Sequence, residues 1–126
     1  MIQIPEDPQV VFDMVAEHLL KQNEKSQVSK EGTCWYRGPR GLKCAAGCLI
    51  PDDKYNSDME MMSWLSLAED NIVPFTNSGL ITSLQIIHDI HDPKDWPIQL
   101  YELAAKLNLN TSVLIKFQLD PENNTK

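Results

Sequence analysis

Apolar positions at helical spacing mark five segments of the chain, and the stretches between them are polar and rich in turn residues. In the first segment Val11, Met14, Val15, His18 and Leu19 fall on one helical face. Asp7 is placed to cap this helix, Pro8 suits its first turn, and it fades near Gln22. Residues 23–32 then read as a polar loop. Thr33, Cys34, Trp35 and Tyr36 favour a strand. Gly38-Pro39-Arg40-Gly41 is a turn signal, and Leu42-Lys43-Cys44 can return as a second strand. The competing reading is a short helix over 43–50 that opens at Cys44. Pro51-Asp52-Asp53 stops either element.

Ser57 or Asp58 is expected to cap a segment carrying Met59, Met62, Trp64, Leu65 and Ala68, broken at 71–77 around Pro74. Asn77 is expected to cap a helix with the stripe Leu80, Leu84, Ile87 and His91, which Asp92-Pro93 ends. Asp92 or Asp95 opens the next, with Trp96, Leu100, Leu103 and Leu107 repeating at helical spacing. After a turn at 108–110, Thr111 or Ser112 caps a last short helix with Leu114 and Phe117. The expected fold is mainly α, about five helices, with an α+β variant if a small hairpin forms near residues 33–44. The expected organisation is one helical domain over 1–120 and a loose polar tail over 121–126.

The 126 residues suit one domain, and 42% hydrophobic residues is ordinary for a globular chain. No apolar run is long enough to cross a bilayer. The first eight residues carry Glu6 and Asp7 and lack the apolar stretch of a secretory signal, so the expected compartment is the cytoplasm. Cys34, Cys44 and Cys48 are odd in number, and in a reducing compartment they read as thiols or metal ligands.

The net charge of −7 is unevenly spread: residues 23–44 carry +3 and residues 45–95 carry −7. An acidic middle repels phosphate, so nucleic acid is disfavoured as a partner.

The densest segment runs from Cys34 to Asp53. Its "YRGP-G-KCA-GCLIPDD" core resembles a family of small uncharacterised phage and proteobacterial proteins, as do "HLLKQ" at His18–Gln22 and "LQIIHDIHDPKDWP" at Leu84–Pro97. What that resemblance implies is a phage accessory role in the host cytoplasm, with no activity attached.

Four constellations carry candidate chemistry. Cys44 and Cys48, four apart, share a face if helical, and Cys34 with His88 or His91 would complete a tetrahedral zinc set. A thiol at a helix start beside Lys43 has a lowered pKa, which makes Cys44 a candidate nucleophile of a hydrolase with His88 as base and Asp89 as orienter. The order "WYRG…KCAAG…H" resembles the NlpC/P60 peptidases, although Lys43 stands where that group carries Asp. The spacing of Leu103, Leu107, Leu109, Leu114 and Phe117 fits a helix-turn-helix regulatory domain, but the would-be recognition helix offers a single base, Lys116.

The fourth is the acidic Met/Trp segment. Asp58, Glu69 and Asp70 accompany Met59, Met61, Met62 and Trp64. The spacing of the three methionines forces at least one off the buried face. Met adapts its shape to partners and Trp is favoured at interface hot spots. The leading expectation is therefore a non-enzymatic, cofactor-free binding module. It acts on a protein partner, a basic one by charge, as an inhibitor of a host nucleic-acid enzyme or defence protein, or else as a homodimer.

Overall fold

In a computed structural model, residues 1–28 and 32–118 are described; the tail expected over 121–126 lies outside them. The described chain is mainly helical, with five α-helices and no strand or sheet. These are α1 (Pro8–Gln22), α2 (Trp64–Glu69), α3 (Ser78–Ile90), α4 (Trp96–Leu107) and α5 (Ser112–Gln118). Helix α1 packs on α3, α4 and α5, and α3 packs on α2 and α4.

The capping chemistry explains several ends. Asp7 accepts a hydrogen bond from the Gln9 N–H at 2.9 Å, with Pro8 in the first turn. Asn23 and Asn108 close α1 and α4 in the left-handed conformation, which Asn tolerates better than most residues. Elsewhere the caps differ from expectation. Ser63, not Ser57 or Asp58, caps α2. Asn56 caps a separate 3-10 turn over Ser57–Met61, so the expected third helix is split in two. Asn77 precedes α3 without capping it, and its amide instead donates to the carbonyls of Pro5 and Glu6, tying down the N-terminal strap. Ile2 and Ile4 of that strap are buried, and the Ile2 N–H donates to the Ile72 carbonyl at 2.9 Å.

The buried stripes sit slightly round the helices from the expected ones. In α1 the inner face is Val11, Phe12, Val15, Ala16 and Leu19, with Met14 largely exposed. In α3 it is Leu80, Ile81, Leu84, Ile87 and His88, so His88 faces the core and His91 is the residue that ends the helix. In α4 the face is Trp96, Leu100 and Ala104, and Leu107 is half exposed.

The hairpin expected near 33–44 does not form. Strand-favouring side chains are not enough without a partner ladder, and the sole pairing among the described residues is an isolated antiparallel bridge between Gln27 and Cys34. The Trp35 N–H donates to the Ser26 carbonyl at 2.7 Å, and Gly38 to Leu42 closes a tight turn around Arg40 and Gly41, both at positive φ. The alternative helix over 43–50 does not form either. Only one 3-10 turn, Gly47–Leu49, is present. Cys44 therefore does not start an α-helix.

Candidate functional site

Backbone donors and acceptors that find no partner in a helix or sheet must find one elsewhere when they are buried. Among the described residues from Asn23 to Ile50 there is almost no regular structure, and the side chains of the helices supply those partners. Gln22 of α1 pairs with both backbone groups of Lys43, accepting from its N–H at 3.0 Å and donating to its carbonyl at 2.8 Å. The His18 Nε2–H donates to the same carbonyl at 2.9 Å, and burial holds the His18 pKa below its ordinary value. Gln85 of α3 accepts from the Ala46 N–H at 2.8 Å. Glu60 accepts from the N–H groups of Tyr36 and Arg37 at 2.8 and 3.0 Å and from the Tyr55 hydroxyl at 2.6 Å. Arg37 turns inward, donates to the carbonyls of Gly47 and Ile50 at 2.7 and 2.5 Å, and lies over the Tyr55 ring.

His88 is the centre of this lacing. It is fully buried, stacked on Trp96 with ring centroids 5.5 Å apart. Its Nε2 lies 3.0 Å from the Ser26 N–H and its Nδ1 lies 2.8 Å from Asp89 Oδ1. A backbone N–H can only donate, so Nε2 is an acceptor and carries no proton. Nδ1 therefore carries the proton and donates it to Asp89. The Ser26 hydroxyl continues the chain by donating to the Trp35 carbonyl at 2.6 Å. Asp89 also accepts from Gln85 Nε2 at 2.6 Å. Burial pushes the Asp89 pKa upward, but the hydrogen bonds from His88, Cys34 and Gln85 outweigh it and hold the carboxyl below its ordinary range.

This geometry shows which of the candidate residues are brought together. The thiol brought to His88 and Asp89 is Cys34, not Cys44: Cys34 Sγ, a His88 ring nitrogen and an Asp89 oxygen lie within 4.8 Å of one another, and Cys44 and Cys48 are outside that group. Cys44, only 2% exposed, accepts from the Gly47 N–H. Burial pushes its thiol up to about 12, the reverse of an activated nucleophile. Cys48 donates to the Ala45 carbonyl and is raised to about 12 for the same reason. Burial, then the neighbouring Asp89 charge, raises Cys34 to about 12.

His88 cannot serve as the expected base either, because the lone pair on Nε2 already faces Ser26 and Nδ1 holds the proton. In this tautomer neither ring nitrogen has a lone pair free. A ligating imidazole gives one lone pair to the ion and an N–H to its neighbour; here Nδ1, against Asp89, holds the proton, and Nε2 meets the Ser26 N–H. Of the expected ligand set Cys34, Cys44, Cys48 and His88, Cys34 and His88 meet, with Asp89 as the third member, and the three act as a clasp between α3 and the loop at Cys34.

The acidic Met/Trp segment is divided by its burial. Trp64 is 4% exposed and Met59 is likewise in the core, so these two are not surface contacts. Trp64 begins α2 and shares its inner face with Leu67 and Ala68. Met62 is half-buried, and Asp58, Glu69 and Asp70 are exposed. Met61 is the methionine that the spacing forced outward, 91% exposed.

Met61 stands beside a cleft of about 460 Å³ between the loop at Cys34, residues 60–65 and α3. A second hollow of about 560 Å³ shares Thr33, Cys34, Glu60 and Met61 with it. Trp35, Leu65, Ile86 and Val28, all exposed, add apolar surface to these two hollows. Among the described residues, the charged ones lining the hollows are Glu60 and Asp89. Trp64 is among the cleft's lining residues, and its indole N–H is buried with no hydrogen-bond partner among the described residues. Sequence reasoning had no hold on Trp35, Leu65 and Ile86 as one surface, because they come from three separate segments.

The α4–turn–α5 corner has the expected connectivity, but α5 presents Ser112, Ile115 and Lys116 outward, and Lys116 lies within electrostatic reach of Glu17. Among the described residues no helix is long and apolar enough to cross a membrane. No family model, curated protein or solved structure matches the chain, so the comparisons add nothing to either resemblance noted in the sequence.

Proposed function

We propose that this protein is a non-enzymatic binding module that docks a segment of a partner protein across the cleft between Cys34, Met61 and α3. The observation that carries this reading is the gathering of Trp35, Met61, Leu65 and Ile86, all exposed, around two hollows that share Met61. Contiguous exposed apolar surface of this kind marks interaction sites more often than scattered single residues do. Met61 adapts to the shape of what it meets, and Trp35 supplies rigid amphipathic area. The engagement of both His88 nitrogens argues against catalysis at the same place. The two carboxylates and the −7 charge of residues 45–95 favour a basic partner.

The test is selection of random peptides on the full chain, followed by anisotropy measurement of the enriched peptides. Met61→Asp is expected to weaken them at least tenfold, while Ile98→Asp, on the exposed face of α4, leaves them unchanged. Failure to enrich any peptide, or equal binding by Met61→Asp, would overturn the reading.

A further inference from the structure

We infer that the segment docked in this cleft lies extended along residues 33–35 and exchanges main-chain hydrogen bonds with the N–H and carbonyl of Cys34. This rests on the docking reading above and specifies the conformation of its occupant.

Three observations carry it. First, the main chain of Cys34 is an open rung. In the antiparallel bridge between Gln27 and Cys34, the Trp35 N–H donates to the Ser26 carbonyl, and the Ser26 hydroxyl donates to the Trp35 carbonyl. Bonds between the flanking residues leave the bridged pair as the one whose own N–H and carbonyl groups point outward. Those of Cys34 therefore point away from Gln27, and among the described residues neither has a hydrogen-bond partner.

Second, that edge faces the hollows. On an extended chain, N–H groups two residues apart point the same way. The Tyr36 N–H, next along the edge, meets the Glu60 carboxylate. Cys34, Glu60 and Met61 line both hollows, so open space lies on the side where another strand would sit. Exposure also alternates as on a strand: Thr33 and Trp35 are exposed, and Cys34 between them is half-buried with its thiol bonded to Asp89.

Third, the edge is not blunted. Strand edges are ordinarily protected by charged side chains or proline, and Thr33, Cys34 and Trp35 supply neither. A docked helix spends its main-chain groups on its own turns. An extended segment brings a free donor and a free acceptor, and sends alternate side chains toward exposed Met61 and Ile86.

The experiment follows the Cys34 amide of the full ¹⁵N-labelled chain by hydrogen–deuterium exchange, free and saturated with the tightest of the selected peptides. Exchange at Cys34 is expected to slow about tenfold or more on binding, while the Ser112 amide in the α4–α5 corner is unchanged. In the peptide, N-methylation of the one residue that donates to the Cys34 carbonyl should weaken binding about tenfold, and N-methylation of its immediate neighbours about twofold or less. A peptide that depends on Met61 yet leaves Cys34 exchange unchanged would overturn the inference and leave the docking reading standing. So would an N-methylation loss spread over consecutive residues, the pattern of a bound helix. Slowing of Cys34 exchange in the free chain that grows with protein concentration would mean that a second copy pairs with this edge, and would overturn it too. If no peptide is enriched, or Met61→Asp binds equally, the docking reading fails and this inference fails with it.

Discussion

Replacing His88 with leucine separates a structural clasp from a catalytic residue. Leucine keeps most of the buried bulk beside Trp96 but can neither accept from the Ser26 N–H nor donate to Asp89. An orphaned buried N–H costs about 1–3 kcal/mol, and losing a hydrogen bond to a charged group costs about 1.5–3 kcal/mol. Stacking contributes about 0.5–1.5 kcal/mol more. Asp89 is partly exposed and recovers some hydration, so a net loss of about 3–5 kcal/mol is expected. For a chain of this length that lowers the melting temperature by roughly 10–20 °C. Urea unfolding monitored by far-UV circular dichroism measures the difference directly, with the slope of the transition unchanged. A loss below about 1 kcal/mol would refute the clasp, because a strained catalytic histidine can be replaced with little loss or even a gain in stability. Long-range ¹H–¹⁵N spectra of the ring give a second check: the Nδ1–H tautomer is expected, and finding the Nε2–H form would contradict the assignment.

The remaining predictions concern the lacing and the thiols. In Gly47→Ala the new Cβ would collide with the Tyr36 carbonyl oxygen, a backbone atom that cannot step aside, so the variant should lose roughly 2–4 kcal/mol or fail to fold. Gly79→Ala, where nothing lies within 4 Å and the backbone is helical, should instead be neutral or gain up to about 1 kcal/mol, read from the same urea transitions. Glu60→Ala leaves two backbone N–H groups and the Tyr55 hydroxyl without their acceptor and should cost about 2–4 kcal/mol. Cys44 should resist thiol reagents in the native protein at pH 8 and react at once in urea; rapid native labelling would contradict its burial. Its thiol ionises near 9 when unfolded and only near 12 when folded, so the folded state binds more protons between those values. Stability should therefore be complete below pH 9 and fall above it, by at most about 1.4 kcal/mol per pH unit for this group.

The parts of this fold that were legible in the sequence are those with a local signal. Asp7-Pro8 and the apolar repeat after it announce α1, and the repeats of 80–91 and 96–107 announce α3 and α4. The stripes were misjudged by about one position, which is why His91 was expected inside and His88 was cast as a base. The methionine arithmetic correctly required one outward residue, and Met61 is that residue. Nothing local could place Asn23 to Ile50. Its stability comes from side chains twenty to sixty positions away, such as Gln22 to Lys43 and His88 to Ser26. Such contacts leave no period in the sequence. The one available hint was the glycine spacing: Gly38 and Gly47 are where a Cβ would collide with Ser26 and with the Tyr36 carbonyl. Trp64 misled for another reason, since its composition suggests an interface while α2 turns it inward.

A wall of the cleft is made from chain that has no hydrogen-bond ladder of its own and is stitched, bond by bond, to three helical elements. That wall is consequently not portable. A synthetic peptide copying residues 23–50, or the same stretch grafted onto another scaffold, would lack Gln22, Gln85, His88 and Glu60 and collapse into an ensemble without a groove. The reverse holds for substitution inside the assembled protein. Trp35 joins the stitching through its backbone alone, and Met61 and Ile86 likewise stand with their side chains exposed, so the side chains of the rim can be rewritten for a new partner while the frame beneath them stays fixed.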